Sequence, residues 1–171
     1  MAALPQEVEA WLGHVVVTQT SGAAAEVGAF RLFCAAVEDA NPLYRDSKEA
    51  HDVAGGPICP PALLSAWSRP DPWEPDGRPV SRALELHFRL KEALGLPKAV
   101  VTRSETELHA PIRPGDRVIA QQRLDAVSPV AENRLGQGRY WTISVLYRRA
   151  CDDVLLGIET LGFFGYGRDE G

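Results

Sequence analysis

The segment from Arg139 to Arg149 constrains the fold of this chain most strongly, because its apolar and polar residues alternate over the length of a strand. Its apolar side chains stand at every second position: Trp141, Ile143, Val145 and Tyr147. Its polar side chains fall between them, at Thr142, Ser144 and Arg148, and Leu146 is the exception. A period of two predicts a strand that buries one face and exposes the other. The chain is therefore expected to contain a sheet with one face packed on a core.

Further strands are predicted from β-branched and apolar runs. They span residues 14–18, 99–109, 117–127 and 154–164. Helices are predicted at 5–12, at 26–39 from apolar residues three and four positions apart, and at 62–67, where Pro70 and Pro72 stop the helix. Segment 69–80 is predicted to be a loop, and segment 81–98 fits either a helix or an extended chain. Helices followed by three or four long antiparallel strands predict an α+β domain whose sheet wraps helical material on one face.

Composition limits the function classes. The 171 residues, 45% of them hydrophobic, suffice for one domain over residues 1–171. A net charge of −5 argues against a nucleic-acid partner, and no apolar run approaches the roughly 18 residues of a membrane span. No signal peptide is visible, and the three cysteines have neither metal-ligand nor disulfide spacing. We therefore expect a cytoplasmic, reduced protein with no metal and no cofactor.

The stretch from Asp39 to Tyr44 (DANPLY), with Ala50 six residues later, resembles the D-x-N-P-x-H signature of MaoC-like dehydratases, a family that includes the (R)-specific enoyl-CoA hydratases. Tyr44 stands where that family has a histidine. Three further segments resemble the family in the same order: 56–64, 111–118 and 147–160. The resemblance covers about residues 10–165 and is greatest to the N-terminal, non-catalytic type of domain. It implies a single hot-dog fold, with an antiparallel sheet wrapped around a shortened, proline-interrupted central helix.

The resemblance also implies a chemistry. In the family, an aspartate and a histidine activate the water that adds to a 2-enoyl-CoA, and amides at the start of the central helix polarise the thioester carbonyl. A tyrosine, with an ordinary pKa near 10, is a poor general base at neutral pH. Pro60 and Pro61 stand at the helix start, and proline has no N–H to donate. Asp39 and Tyr44 are therefore family positions that we do not expect to catalyse alone.

A shortened central helix leaves space, and this resembles the subunits of heteromeric hydratases that act on bulky acyl-CoA thioesters, such as steroid side-chain or very-long-chain substrates. The implied partner is a second MaoC-like hot-dog subunit that carries the Asp/His pair. The residues predicted to contact the substrate are Asn41, Leu63, Trp67 and Trp73. Those predicted to contact coenzyme A, unless they are ordinary solvated surface, are Lys98, Arg103, Arg113 and Arg117.

Other interpretations stay open at this point. Asp39 can simply cap a turn or the helix that begins near Ser47, and Tyr44 can be a packing residue at a subunit contact. The chain can be a self-sufficient homodimeric hydratase that uses Asp39 with Tyr44 or His51. It can also be a non-enzymatic module that binds acyl-CoA or acts as a scaffold for a thiolase partner.

Overall fold

The computed structural model describes residues 3–20, 22–70, 73, 75 and 82–167. Its framework is an antiparallel sheet of six strands: β1 (Val15–Thr20), β2 (Lys98–Leu108), β3 (Val118–Val127), β4 (Ala131–Asn133), β5 (Gly136–Arg149) and β6 (Leu155–Tyr166). The strands lie in the order β1-β3-β5-β6-β2, and the short β4 pairs with β5 outside this path. The predicted strands are confirmed to within three residues at each end. β4 was not predicted, because three residues are too few to show an alternating pattern.

The alternating segment occupies the centre of the sheet. Trp141, Ile143, Val145 and Tyr147 are all buried on the face that carries the helices. In the neighbouring β6, Phe163 lies opposite Trp141, and Leu161 lies opposite Ile143. The core therefore lies between this face and the helices, as the period of two predicted, and the α+β class is confirmed.

The helical elements are α1 (Gln6–Trp11), α2 (Val27–Val37), α3 (Lys48–Ala54), α4 (Glu85–Leu94) and two 3-10 helices, Pro42–Tyr44 and Pro61–Ser68. The predictions at 5–12, 26–39 and 62–67 are confirmed, although the last segment is a 3-10 helix. We call Pro61–Ser68 the central 3-10 helix. The seven-residue α3 is capped by the Ser47 side chain, which accepts a hydrogen bond from the Ala50 amide at 3.0 Å. The predicted loop 69–80 falls largely outside the described residues.

The ambiguous segment 81–98 contains α4, and a buried glutamine on the sheet explains why. Gln122 of β3 has no exposed surface. Its side-chain oxygen accepts a hydrogen bond from the Leu86 amide at 2.9 Å, and its nitrogen donates to Gln19 at 2.6 Å. An amide in the first turn of a helix has no partner within the helix, so Gln122 supplies one that the local sequence does not reveal.

Helix α4 also places a histidine, His87, against the aromatic side chains of the core. The His87 ring lies 4.2 Å from the Phe163 ring and 5.6 Å from the Trp141 ring, measured between centroids. Its Nδ1 atom and the indole nitrogen of Trp141 are buried without a hydrogen-bond partner among the described residues. Burial, together with the nearby charges of Lys91 and Arg82, lowers the pKa of His87 from 6.5 to about 4. His87 is therefore neutral at physiological pH.

Strand β2 forms one end of the sheet, and no described strand pairs with its outer edge. Ten of its eleven residues are exposed; Ala99 alone is half-buried. The exposed side chains include Val100, Val101 and Leu108. An eleven-residue strand with one free edge and water on both faces is an unusual feature of a folded domain. In the part of the chain that is described, no helix has the length and apolar character that a membrane span needs.

Candidate functional site

The segment that carries the family signature begins where α2 ends. Glu38 adopts a left-handed conformation (φ 57°), and the Asp39 amide donates to the Cys34 carbonyl at 2.9 Å. The Asp39 carboxylate accepts a hydrogen bond from the Asn41 amide at 2.9 Å, and the Asn41 side chain accepts one from the Leu43 amide at 3.0 Å. Two consecutive side-chain-capped turns therefore lead into the 3-10 helix Pro42–Tyr44. The turn-capping interpretation of Asp39 is what the geometry shows.

Tyr44 ends this 3-10 helix and is half-buried. Its hydroxyl group makes no hydrogen bond with any other described residue. The Leu43 carbonyl accepts from the Ile58 amide at 2.9 Å, which attaches the signature segment to the chain that enters the central 3-10 helix. Asn41, which we predicted to contact substrate, uses its side-chain oxygen to cap the turn. Its substrate role stays a prediction.

None of the four histidines, all of which lie among the described residues, makes a hydrogen bond to Asp39. The His51 ring nitrogen Nε2 lies 2.7 Å from Asp46 Oδ1, and both side chains are exposed. His109 pairs with Glu107 at 3.0 Å, and His87 lies in the core. A pairing of Asp39 with His51 therefore has no support in this geometry.

The start of the central 3-10 helix offers few amide donors. Pro60 and Pro61 have no N–H, the Leu63 amide already donates to the Pro60 carbonyl at 2.9 Å, and the Cys59 amide donates to Ile112. Ala62 carries the first amide of this helix, and that amide makes no hydrogen bond with any other described residue. Two aligned N–H groups are the usual minimum for holding a developing oxyanion, so this end of the helix is a weak electrophilic site.

An apolar cavity of about 300 Å³, the proximal cavity, lies beside this helix start. Its walls include Cys59, Pro61, Leu64, His109 and Leu156. Burial raises the pKa of the Cys59 thiol to about 11, so it stays protonated and is not an activated nucleophile. The proximal cavity can hold an apolar group but offers no covalent chemistry.

The three apolar residues predicted to line space near the central helix lie in different surroundings. Trp67 is buried, its indole N–H donates to Cys59 Sγ at 3.1 Å, and its ring meets Phe30 edge-on at 5.7 Å. Leu63 packs against the core at partial burial, and Trp73 is 70% exposed. Trp67 therefore acts as a core residue here, and a substrate contact by any of the three stays a prediction.

A second cavity, the distal cavity, has a volume of about 210 Å³ and lies at the opposite end of the central 3-10 helix. Its polar lining comprises Ser65, Ser68, Arg69, Tyr147 and Glu159. The sequence predicted space where Pro70 and Pro72 end the helix, lined by Leu63, Trp67 and Trp73, and none of these three residues lines the distal cavity. It did not predict this polar lining, since Tyr147 and Glu159 belong to different strands. The sheet register makes them diagonal neighbours, with Glu159 opposite Val145.

Three of the four cationic residues proposed for coenzyme A have separate partners within the chain. Arg103 pairs with Glu105, the Arg113 side chain donates to the Ala54 carbonyl, and the Arg117 side chain donates to the Gly22 carbonyl. Lys98, at the start of β2, makes no ion pair with another described residue. Contacts of these residues with coenzyme A stay predictions. The described residues contain no group of three or more potential metal ligands.

A long antiparallel sheet that wraps a short central helix, with a D-x-N-P turn beside that helix, defines the hot-dog dehydratase class. The model of the FAS1-like dehydratase domain region matches residues 10–146, so the chain belongs to that family. The MaoC-like resemblance drawn from the motifs is thereby confirmed. A curated relative, the probable enoyl-CoA hydratase alpha subunit of Thermomonospora curvata, is 28% identical over 153 residues. The match covers 88% of this chain but 48% of the relative, so the chain spans about half of that protein's length.

Solved structures show the same fold. The ChsH1–ChsH2 complex from Mycobacterium tuberculosis contains a chain that superposes with a TM-score of 0.73 at 19% identity, covering 91% of this chain and 86% of that one. The MaoC-like dehydratase from Rhodospirillum rubrum superposes with a TM-score of 0.59 at 17% identity, covering 89% and 92%. At such low identities these likenesses establish the hot-dog architecture alone.

Proposed function

We propose that this chain is a subunit of a heteromeric 2-enoyl-CoA hydratase, in which a second MaoC-like subunit supplies the Asp/His pair. The observation that carries the proposal is the state of the signature: Tyr44 replaces the histidine, and Asp39 caps its own turn. The proline pair at the start of the central 3-10 helix gives independent support, because it removes amides that would polarise a thioester carbonyl.

The exposed β2 edge supports the presence of a partner. A free, long edge strand is a surface on which another chain can add its own strand, and Val100, Val101 and Leu108 provide apolar contact area. The relative from Thermomonospora curvata is named an alpha subunit, and the ChsH1–ChsH2 structure is a complex of two proteins. In the proposed complex this chain shapes the acyl pocket for a bulky acyl-CoA, and the partner activates the water.

The experiment compares the purified chain alone with the chain co-expressed with its partner, using crotonyl-CoA and a longer trans-2-enoyl-CoA. Loss of the enoyl thioester absorbance reports hydration. We expect no turnover above background from the isolated chain and rapid turnover from the complex. Rapid turnover by the isolated chain would instead identify a self-sufficient hydratase. Tight acyl-CoA binding without hydration, even with the partner present, would identify a non-enzymatic binding module.

A further inference from the structure

The floor of the distal cavity is a fixed polar pair. The Tyr147 hydroxyl donates a hydrogen bond to Glu159 Oε2 at 2.8 Å, and Tyr147 is 3% exposed. Burial, followed by the negative charge of Glu159, raises the pKa of Tyr147 far above its ordinary value of 10, so its hydroxyl remains a donor. Tyr147 thereby holds the Glu159 carboxylate in place. The other carboxylate oxygen, Oε1, makes no hydrogen bond with any described residue.

The rim of the same cavity carries the opposite charge. Arg69 follows directly after the central 3-10 helix, and its guanidinium donates to Ser65 Oγ over a long 3.4 Å. Arg69 and Glu159 both line the cavity, yet they form no ion pair within the described residues. An anion in this space would be attracted by Arg69 and repelled by Glu159. A cation would be attracted by Glu159 and repelled by Arg69. A neutral group that both donates and accepts hydrogen bonds suits both side chains.

The size and the remaining walls define the rest of the ligand. A cavity of about 150 Å³ can hold a benzene ring, so the distal cavity, at about 210 Å³, has room for a six-membered ring with a substituent. Its apolar walls are formed by Ala83, Leu84, Ala120, Val145 and Leu161. These walls contact the ring, while the polar groups lie at the floor and the rim.

We propose that the distal cavity binds a neutral, ring-sized group that carries a hydroxyl, which donates to Glu159 and accepts from Arg69 or Ser65. If this site is the remote end of the acyl pocket, it selects acyl groups with a hydroxylated ring, and this selection rests on the proposed function. Binding of the hydroxylated group itself does not rest on the proposed function, because it requires neither the partner subunit nor turnover.

The test uses the isolated chain and two probes of similar size, phenol and fluorobenzene, titrated while NMR follows the methyl groups of Ala120, Val145 and Leu161. We expect phenol to shift these resonances and to bind at least tenfold more tightly than fluorobenzene. Equal affinities for the two probes, or no shift at these methyl groups, would overturn the proposal. Failure here leaves the hydration experiment untouched, so the two proposals fail separately.

Two variants assign the roles. Glu159→Gln should weaken phenol binding about tenfold while leaving fluorobenzene binding unchanged, because it replaces a charged acceptor with a neutral amide of nearly the same shape. Tyr147→Phe should reduce the phenol preference several-fold, since Tyr147 positions Glu159.

The matched controls are Glu107→Gln and Tyr140→Phe, on exposed side chains outside the cavity, and they should leave both affinities unchanged. An unchanged preference in Glu159→Gln would contradict the assignment. If a variant fails to fold, the comparison of phenol with fluorobenzene binding to the wild-type chain still decides the proposal.

Discussion

The side chain of Gln122, on β3, holds the first turn of α4 through a 2.9 Å hydrogen bond from the Leu86 amide. Truncation by Gln122→Ala would leave that amide and the Gln19 side chain without this partner in a site with no water access, and would open a cavity. We expect a loss of about 3 kcal/mol or more in the free energy of unfolding, measured by urea denaturation. The adjacent Gln121 is half-buried, so Gln121→Ala serves as the control and should cost less than about 1 kcal/mol. Equal effects of the two substitutions would contradict this account.

Gly165 of β6 lies so close to the Trp141 ring that a Cβ atom placed there would meet two ring atoms at 2.3 Å. The Trp141 ring cannot easily move away from the added Cβ atom, because Phe163 and His87 pack around it. We expect Gly165→Ala to destabilise the protein by about 2–3 kcal/mol through overpacking. Gly28, exposed in the first turn of α2, has open space at its Cβ position. Gly28→Ala should therefore be neutral or stabilising by up to about 1 kcal/mol. Urea denaturation of both variants measures the contrast, and a stable Gly165→Ala protein would refute the close contact.

The buried His87 predicts a loss of stability in acid. Its pKa is about 4 in the folded chain and near 6.5 in the unfolded chain. As the pH falls through this interval the unfolded state binds the proton first, so stability present above pH 6.5 is lost towards pH 4. One pKa unit corresponds to about 1.4 kcal/mol, and after discounting for partial water contact we expect about 1–2 kcal/mol.

The measurement compares unfolding free energies of the wild type and His87→Phe at pH 7.5 and pH 4.5. His87 Nδ1 has no described partner, so phenylalanine should be tolerated at pH 7.5. The variant should lack this part of the acid dependence. Identical pH profiles for the two proteins would show that His87 does not titrate as described.

Restoring the family signature should not by itself restore catalysis. Tyr44→His completes the D-x-N-P-x-H pattern, but Pro60 and Pro61 still leave the thioester carbonyl without two aligned amide donors. We expect the isolated variant to hydrate crotonyl-CoA at a rate indistinguishable from background. Circular dichroism should show an unchanged fold, which serves as the control. A rate within tenfold of that of the complete complex would mean that the histidine alone was missing.

The β2 edge can be tested without disturbing the core. Val101 is 62% exposed, so Val101→Lys should leave the melting temperature nearly unchanged. It should weaken association with the partner subunit at least tenfold in sedimentation velocity, because a buried lysine would replace an apolar contact. Leu32→Lys, at a 74% exposed position of α2, is the matched control and should associate normally. Reversed results would place the partner on α2.

The sheet could be predicted from the sequence because its pattern is local: each long strand carries its own alternation or β-branched run. The signature turn was likewise readable, since Asp39, Asn41 and Pro42 make their capping contacts within a few residues of one another. Helix α4 could not be assigned, because the residue that supports its first turn, Gln122, is 36 positions away in sequence.

The candidate sites show the same division. The end of the central 3-10 helix was predictable from Pro70, which disfavours helical angles in the residue before it. The Tyr147–Glu159 pair was not, since it depends on how β5 and β6 align. The contacts of Trp67 with Phe30 and Cys59 place it in the core, which the short apolar helix did not reveal, and its contact with substrate stays a prediction.

The free edge of β2 also bears on how the protein has to be produced. An unpaired strand recruits strands indiscriminately when chains are concentrated, and the charges of Arg103, Glu105 and Glu107 along it oppose such pairing. Overexpression of the chain by itself should therefore favour aggregation. Synthesis of the chain from one transcript with a matching subunit would allow that subunit to cover the edge as soon as the chain leaves the ribosome.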